Sequence, residues 1–522
     1  MTCLNGRHHM KLQTQLMKTK LTPTFTTSAL VLAAINTVCA QYAPPPPPTP
    51  FQGFINEPLR ANDPYLNKWD FGGSARARLE IKEGYGIPGV AGSMDFRDHG
   101  ADVNNEYWIE RIRYRAGYTD KWWSALVEGR SSFAQSDERF AYTATPLPAG
   151  TVARNGLGPE SDTIDLHQAF VTIGNHKEFP VSLKIGRQEL SYGEERLVGA
   201  FAWNNVGRVF DAAKVRWQNE WFGADFFTSR VVIPEDHRFN VNNDYDWFSG
   251  VYANVNKVPK NLLDVYFLSR NANGNAIAAE PSPQAPQPSA RDIYTVGARL
   301  KSKPGELGNW DYTLESAYQF GNFQDRRLGG DAAPRLDHSA YMVVAQGGYT
   351  FADAWATPRL GLEYSFGSGD DNPTNKTHTT FENLFPTNHK FYGYMDFISL
   401  QNIHDVRPVI TLKPHPRLSL AFEGHLFWLA NTHDNFYNVG GAPRGGTAAT
   451  PLGNGYGVNS RYSSYVGSEM DVIAGYAITR YAQIEAGYGH FFVGDYVKSS
   501  LSAPTHGSTD ADYVYAQLTL NF

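Results

Sequence analysis

The chain has 522 residues, of which 42% are hydrophobic, 14% aromatic and 19% charged, and its formal net charge at pH 7 is −6. Beyond the N-terminal segment no apolar run reaches 18 residues, which excludes membrane-spanning helices. The negative mean hydropathy of −0.41 does not exclude a membrane protein, because only half of each strand is apolar in a barrel with a polar interior.

Residues 1–40 are predicted to be a secretory signal peptide. A basic start precedes the apolar segment Phe25–Val38, and Ala40 supplies a small residue at the expected cleavage position. A lipoprotein signal that uses Cys39 is the alternative, and Asn36 disfavours it. The two cysteines, Cys3 and Cys39, would be removed, so neither a disulfide framework nor a thiolate metal site is expected.

Residues 41–70 are predicted to be a proline-rich periplasmic linker. Pro44–Pro48 is a run of five prolines, which favours polyproline II and cannot join a sheet. The sequence favours a plain spacer for this run.

Residues 71–522 alternate between apolar and polar side chains in about eighteen segments, which is the period of a half-buried β-strand. Tight turns such as Asn219–Glu220 and Thr479–Arg480 alternate with long connections such as Asn271–Arg291 and Ala430–Ser464. This alternation is typical of bacterial outer-membrane barrels and has no reason to occur in a soluble two-sheet sandwich. The sequence therefore predicts an all-β fold, a single closed antiparallel transmembrane β-barrel with short periplasmic turns and long extracellular loops. The even number of strands predicts that both termini are periplasmic.

The last strand gives an independent indication. Its alternate residues from Val514 to Leu520 are apolar, and the chain ends in Phe522. An alternating strand with a terminal Phe resembles the signal that outer-membrane proteins present to the barrel assembly machinery, although an ordinary edge strand can also end a chain. An outer-membrane location, with lipid around the barrel, is expected.

Period-two alternation also predicts which side chains face the pore. Arg111, Arg113 and Arg115 share one face of the second strand, opposite Ile112 and Tyr114. An Arg that faces lipid at the membrane midplane costs about 2–4 kcal/mol, so the three arginines must point into the lumen. The same test predicts a pore lining of Arg76, Arg78, Arg111, Arg113, Arg115, Arg130, Lys214 and Arg216.

Acidic residues dominate the later strands, so a lumen with one basic and one more acidic wall is expected. Cross-strand salt bridges that only stiffen the barrel are the alternative interpretation of these charges. The surplus of arginine in the first two strands indicates carboxylate binding, because the guanidinium fork holds a carboxylate bidentately.

Two blocks resemble the alginate export porin family. The first consists of GRQELSYGEERLVG, WNN and GRVFDA within residues 186–212, and the second is Phe381–Asp405. The resemblance implies passive passage of an anionic polysaccharide, delivered by periplasmic export machinery, through an electropositive constriction that loops or turns gate. The first block also contains four charged residues that are expected to shape the loop over the pore: Arg187, Glu189, Arg196 and Arg208. Arg187 and Glu189 fall on the lipid phase by strict alternation, which predicts a bulge or a strand end there.

The predicted function is an outer-membrane porin for an alginate-like polysaccharide or oligosaccharide. No enzyme motif and no metal-ligand spacing occurs, so no enzymatic activity, no cofactor and no nucleic-acid partner is expected. Asp370 and Asp371 favour a solvated loop over a calcium site. Two alternatives stay open: a general or small-anion porin, and a surface-binding barrel that acts through its long loops.

Overall fold

A computed structural model describes residues 50–85, 96, 104–137, 160–235, 239–273, 290–324, 332–441, 443–444, 456, 458–501 and 507–522. The predicted signal peptide, residues 1–40, and the proline run lie outside the described residues. All statements below on structure concern the described residues.

Nineteen strands form one sheet, of which eighteen are long and one, β14, has two residues within a loop. The strands are β1 (Trp69–Glu83), β2 (Asn105–Thr119), β3 (Trp123–Gln135), β4 (Asp162–Ile173), β5 (Val181–Gln188), β6 (Phe210–Gln218), β7 (Phe222–Ile233), β8 (Val241–Val255), β9 (Asn261–Ala272), β10 (Arg291–Ser302), β11 (Trp310–Gln324), β12 (Arg335–Thr350), β13 (Arg359–Gly367), β14 (Thr377–His378), β15 (Ile403–His415), β16 (Leu418–Leu429), β17 (Tyr465–Ala477), β18 (Ala482–Val493) and β19 (Ala511–Asn521). Two short helices are α1 (Asn56–Asn62) and α2 (Asp495–Ser500).

The long strands pair antiparallel with their neighbours along the chain, and β13 pairs with β15 across the intervening loop. The first and last strands also pair, from Ser74 opposite Asn521 to Glu83 opposite Asp512, which closes the sheet. The predicted all-β closed barrel of about eighteen antiparallel strands is therefore confirmed. Short and long connections alternate around it, so the barrel has a short-turn rim and a long-loop rim.

The outer wall carries the large apolar side chains. On β2, Ile112 and Tyr114 are 44% and 45% exposed, whereas Arg113 between them bonds to groups inside the barrel. The alternating apolar and polar residues of each strand therefore form an apolar exterior and a charged interior, as a lipid environment requires. Within the described residues, no helix is long and apolar enough to cross a bilayer.

Part of the segment predicted as a linker packs against the short-turn rim. Helix α1 begins at Asn56, whose amide donates 2.7 Å hydrogen bonds to the Asp70 carboxylate and to the carbonyl oxygen of Phe51. Glu57 accepts a hydrogen bond of 2.6 Å from the Tyr481 hydroxyl in the turn between β17 and β18. Residues 51–62 are therefore attached to β1 and to the turn between β17 and β18, both at the short-turn rim.

Candidate functional site

Two long loops turn inward and occupy the lumen. Loop A is residues 189–209, between β5 and β6, and loop B is residues 368–402, between β13 and β15. The loops bond to each other where the Phe385 amide donates to the Leu197 carbonyl (2.9 Å) and the Gly199 amide donates to the Phe385 carbonyl (2.8 Å). Because each loop also reaches the inner wall, the pair narrows the barrel.

Four of the arginines predicted to line the pore hold loop A through its main chain. Each donates from a guanidinium nitrogen to a carbonyl oxygen in residues 202–206, which are neutral acceptors. The pairs are Arg76 with Ala202 (3.0 Å), Arg78 with Trp203 (3.0 Å), Arg111 with Ala202 and Asn204 (both 3.1 Å), and Arg130 with Val206 (2.7 Å). The basic wall of β1–β3 therefore positions the loop.

These four arginines differ in how their charge is balanced. Arg78 pairs with Glu80 at 2.7 Å, and Arg130 pairs with Asp162. In the described part of the chain, no carboxylate oxygen lies within ion-pair distance of Arg76 or Arg111. Arg76 is buried and Arg111 is partly exposed, so Arg111 is a guanidinium group that solvent can reach and that forms no ion pair with the described carboxylates.

Arg113 and Arg115 extend the same row on β2. Arg113 lies 3.1 Å from Glu189 and 4.0 Å from Glu128, and Arg115 lies 3.4 Å from Asp70. Their side chains are 14% and 12% exposed. Both are therefore on the inner wall, and acidic residues offset much of their charge.

Lys214 and Arg216 lie on the inner face of β6 and share one acid. Asp225 accepts from Lys214 at 3.1 Å and from Arg216 at 2.7 Å. Lys184 stands opposite Lys214 in the pairing of β5 with β6, and its ammonium lies over the Phe170 ring. Three cations against one carboxylate leave a local positive excess.

The structure places Arg187 and Glu189 on either side of the end of β5, at Gln188. Arg187 forms a 2.8 Å ion pair with Asp211 at the long-loop end of β6, and Gly186 before it has a φ of +126°. Glu189, the first residue of loop A, bonds to Arg113 inside the barrel. The two charges that seemed to face lipid are thus accommodated at a strand end.

Arg196 anchors loop A to the opposite wall. It donates to Glu363 on β13 at 2.7 Å, and Arg407 on β15 donates to the same carboxylate at 3.0 Å. All three side chains are at most 1% exposed. Although burial lowers the pKa of Arg196, the neighbouring Glu363 raises it above the usual value. Arg407 was missed from sequence, although strand alternation from Asp405 would have placed it inward.

Arg208 joins the two loops, because it donates to the carbonyl oxygens of Gly199 (3.1 Å) and Pro386 (2.8 Å). An aromatic contact adds to this junction. The Trp203 ring stacks on His389 at 3.8 Å on one side and meets the Arg78 guanidinium at 3.9 Å on the other. Both faces of the indole are occupied, which excludes it as a free platform for a sugar ring.

Residues of β15 and β17 bind main-chain groups of loop B. Glu469 on β17 accepts a 2.9 Å hydrogen bond from the Met395 amide, whereas the arginines of β1–β3 donate to carbonyl groups. Asp471 lies two residues further along the same inner face and is 1% exposed. Glu469 thus receives one main-chain donor of loop B, and Arg407 on β15 donates to the carbonyl oxygens of Lys390 (2.8 Å) and Phe391 (3.3 Å) in the same loop.

Guanidinium groups on the inner wall can donate hydrogen bonds to an anion, and loops A and B occupy part of the lumen beside them. Among the described residues no group of three or more His, Cys, Asp or Glu side chains could hold a metal ion.

Comparisons with known proteins agree with this geometry. Two solved Pseudomonas aeruginosa structures, OpdK with vanillate and OccK2 (OpdF), are each 12% identical to the chain with a TM-score of 0.50. Each alignment covers 87% of this chain and 98% of the other, and at this identity it shows a shared fold. No curated protein matches the chain significantly. The family model described as alginate export matches residues 70–509, so the chain belongs to the alginate export family of outer-membrane porin-like barrels.

Proposed function

We propose that this protein is an outer-membrane porin that conducts an anionic polysaccharide or oligosaccharide of the alginate type by passive transport. The proposal is supported above all by Arg111, which reaches the lumen and donates to the carbonyl oxygens of Ala202 and Asn204. Because none of the described carboxylates lies within ion-pair distance of it, its positive charge can attract a passing carboxylate. Arg113 and Arg115, which acidic residues only partly offset, continue the row on β2, and weak contacts of this kind would attract an anion without trapping it. Periplasmic export machinery would deliver the polymer at the short-turn rim.

The proposed path runs along the basic wall. Arg76, Arg78, Arg111, Arg113, Arg115, Arg130, Lys214 and Arg216 are proposed to set the potential of this wall, whether they meet solute directly or hold loop A. Family-block residues Arg187, Glu189, Arg196 and Arg208 are proposed to fix the loops. Both termini would then be periplasmic, with the long loops outside the cell.

A small-anion porin is the second candidate, and a specific observation favours it. Loops A and B bond to each other inside the lumen, which leaves less room for a hydrated sugar chain than an open barrel does. OpdK, which shares the fold, was solved with vanillate, a small carboxylate.

Single-channel recording in planar bilayers tests the proposal. We expect a reversal potential that indicates anion selectivity in a KCl gradient, and block of the current by uronate oligomers. Selectivity without block would favour the small-anion porin, and no conductance would favour a surface-binding barrel.

Arg111→Gln should lower anion selectivity and weaken the block, by about tenfold if one charge-assisted hydrogen bond of ~1.4 kcal/mol is lost. Arg335→Gln is the matched control, because Arg335 pairs with Asp292 in an exposed position near the start of β12. Equal effects of the two substitutions would count against a role for Arg111 in the path.

A further inference from the structure

A groove of about 630 Å³ lies on the outside of the barrel, separate from the lumen, at the long-loop ends of β13, β15 and β16. Tyr364 on β13 and Trp428 on β16 line it on either side, and His404 and Val406 on β15 lie between them. The two aromatic residues are two strands apart, so with ~4.8 Å per strand they stand roughly 10 Å from each other. Over Val406, the smallest of these four side chains, this spacing leaves a slot for an acyl chain.

Local irregularity in the sheet shapes this slot. In the pairing of β16 with β17, Phe427 faces Gly467 whereas Trp428 faces Tyr465, which leaves Val466 as an extra residue. Such a bulge bends its strand and re-aims the neighbouring side chain. On the other side, the Tyr364 hydroxyl and His404 Nδ1 lie 2.7 Å apart, which fixes the orientation of both rings.

The upper edge of the groove is polar and firmly held. The main-chain amide of Asn431 donates to Asn402 Oδ1 at 2.7 Å, and Asn402 Nδ2 donates to the main-chain carbonyl of Asn431 at 2.9 Å. Asn402 is fully buried. Asn431 Oδ1 in turn accepts from the His433 amide at 2.9 Å. The hydrogen-bonding groups above the slot are therefore set in place by a buried side chain.

One end of the groove is apolar and the other is polar, which suits the acyl chain and the head group of a lipid. Val406 and Trp428 lie on the lipid-facing wall, where aromatic side chains mark the boundary between hydrocarbon and head groups. Asn431 and His433 lie above them, and none of the described residues that line the groove is a Lys, Arg, Asp or Glu. Without a cation a phosphate head group gains little, whereas an uncharged sugar can use amide and imidazole partners.

We propose that this groove binds one membrane glycolipid, with an acyl chain between Tyr364 and Trp428 and an uncharged sugar head group hydrogen-bonded by Asn431 and His433. This inference goes beyond the proposed transport function, because the groove is outside the lumen and needs no solute to pass. A bound lipid would tie loop residues 430–433 to the membrane surface.

Photocrosslinking in vesicles tests the inference. The full-length protein is reconstituted in phosphatidylcholine that contains a small fraction of galactosyl diacylglycerol with a diazirine in one acyl chain. We expect labelling at β16 to exceed that from a phosphatidylcholine probe with the same chain by about fivefold, the effect of one or two neutral hydrogen bonds. Even labelling around the barrel, or equal labelling by the two probes, would overturn the proposal.

Variants separate the head group from the chain. Trp428→Ala should reduce labelling at this position for both probes, whereas His433→Ala should remove only the preference for the sugar. Trp310→Ala is the matched control, since Trp310 is an exposed tryptophan at the opposite rim of β11. A covalent link between two copies of the chain at this groove, with no lipid label, would show that a second copy occupies it and would also contradict the proposal.

Discussion

At the scale of single residues, most charged side chains inside this barrel are buried and form ion pairs, of which the pairs to Glu363 are an example. Glu363 is shared by Arg196 and Arg407, at 2.7 and 3.0 Å, and all three are withdrawn from water. Such a group costs solvation energy, which the attraction repays only while every partner is present. The pairing also joins loop A to β13 and β15, so it bears on the position of the constriction.

Glu363→Gln is expected to destabilise the barrel by up to about 3–5 kcal/mol, because it removes the carboxylate that two buried guanidinium groups share. The carboxylates that remain are more distant, with Glu194 at 3.9 Å from Arg196 and Glu423 at 3.5 Å from Arg407. The measurement is the urea concentration at half-unfolding in lipid vesicles. Asp120→Asn is the control, since the Lys68–Asp120 pair is exposed and solvent-screened pairs of this kind contribute little to stability. A midpoint equal to that of the control would refute the assigned role.

At the scale of elements, two inward loops rather than the strands define the narrow part of the lumen. Loop A is held by arginine donors of β1–β3, loop B is held by Glu469 as an acceptor and Arg407 as a donor, and the loops meet at Phe385. Strand charges therefore act partly on main-chain groups, so charge counting along strands alone does not describe the pore.

A disulfide between the loops should separate passage of small ions from passage of polymer. Positions 199 and 387 are close enough for a Cys pair, because an added Cβ at Gly199 would meet Thr387 Oγ1. The same Cβ would lie 2.7 Å from Glu195 Cβ, so the pair requires a small shift of Glu195. The mature chain is expected to lack other cysteines. With Gly199→Cys and Thr387→Cys oxidised, we expect chloride conductance to persist and the flux of uronate oligomers to fall to the vesicle background.

Reduction with dithiothreitol should restore the oligomer flux, as measured by swelling of proteoliposomes. The single variant Thr387→Cys controls for the loss of the hydroxyl that accepts from the Phe201 amide. Equal oligomer flux in the oxidised and reduced double variant would mean that the loops stay docked during passage.

At the scale of the whole molecule, closure depends on the meeting of the two chain ends. Gly73 and Phe522 exchange main-chain hydrogen bonds of 3.0 and 2.8 Å, and β1 then pairs along β19. Closure removes the exposed edges that an open sheet would present to lipid, where unpaired backbone groups are costly.

Gly73→Val should reduce the fraction of closed barrels. A Cβ at this position would overlap the carbonyl oxygen of Arg113 and lie 2.7 Å from Phe522 Cζ, so the junction of β1 with β2 and Phe522 must shift. The heat-dependent change in gel mobility measures the closed fraction. Gly347→Ala, whose Cβ would find its nearest neighbour at 3.9 Å, should leave that fraction unchanged. Full closure of the Gly73 variant would contradict this account.

The sequence by itself determined the barrel, the number of its strands and the alternation of short and long connections. It could do so because lipid outside and water or charge inside impose period two on each strand, which is a local rule. For the same reason alternation placed Arg111 and Arg113 on the inner wall.

Only the tertiary structure decided what those side chains contact. The acceptors of Arg76 and Arg111 lie 126 and 91 residues away in loop A, and no periodicity describes a loop that folds into a lumen. Arg196 and Glu363 are 167 residues apart, and their pairing depends on the register and closure of all the strands between them. The face to which a strand side chain points follows from its position in the strand, whereas the narrow part of the lumen forms only after the barrel has closed around loops A and B.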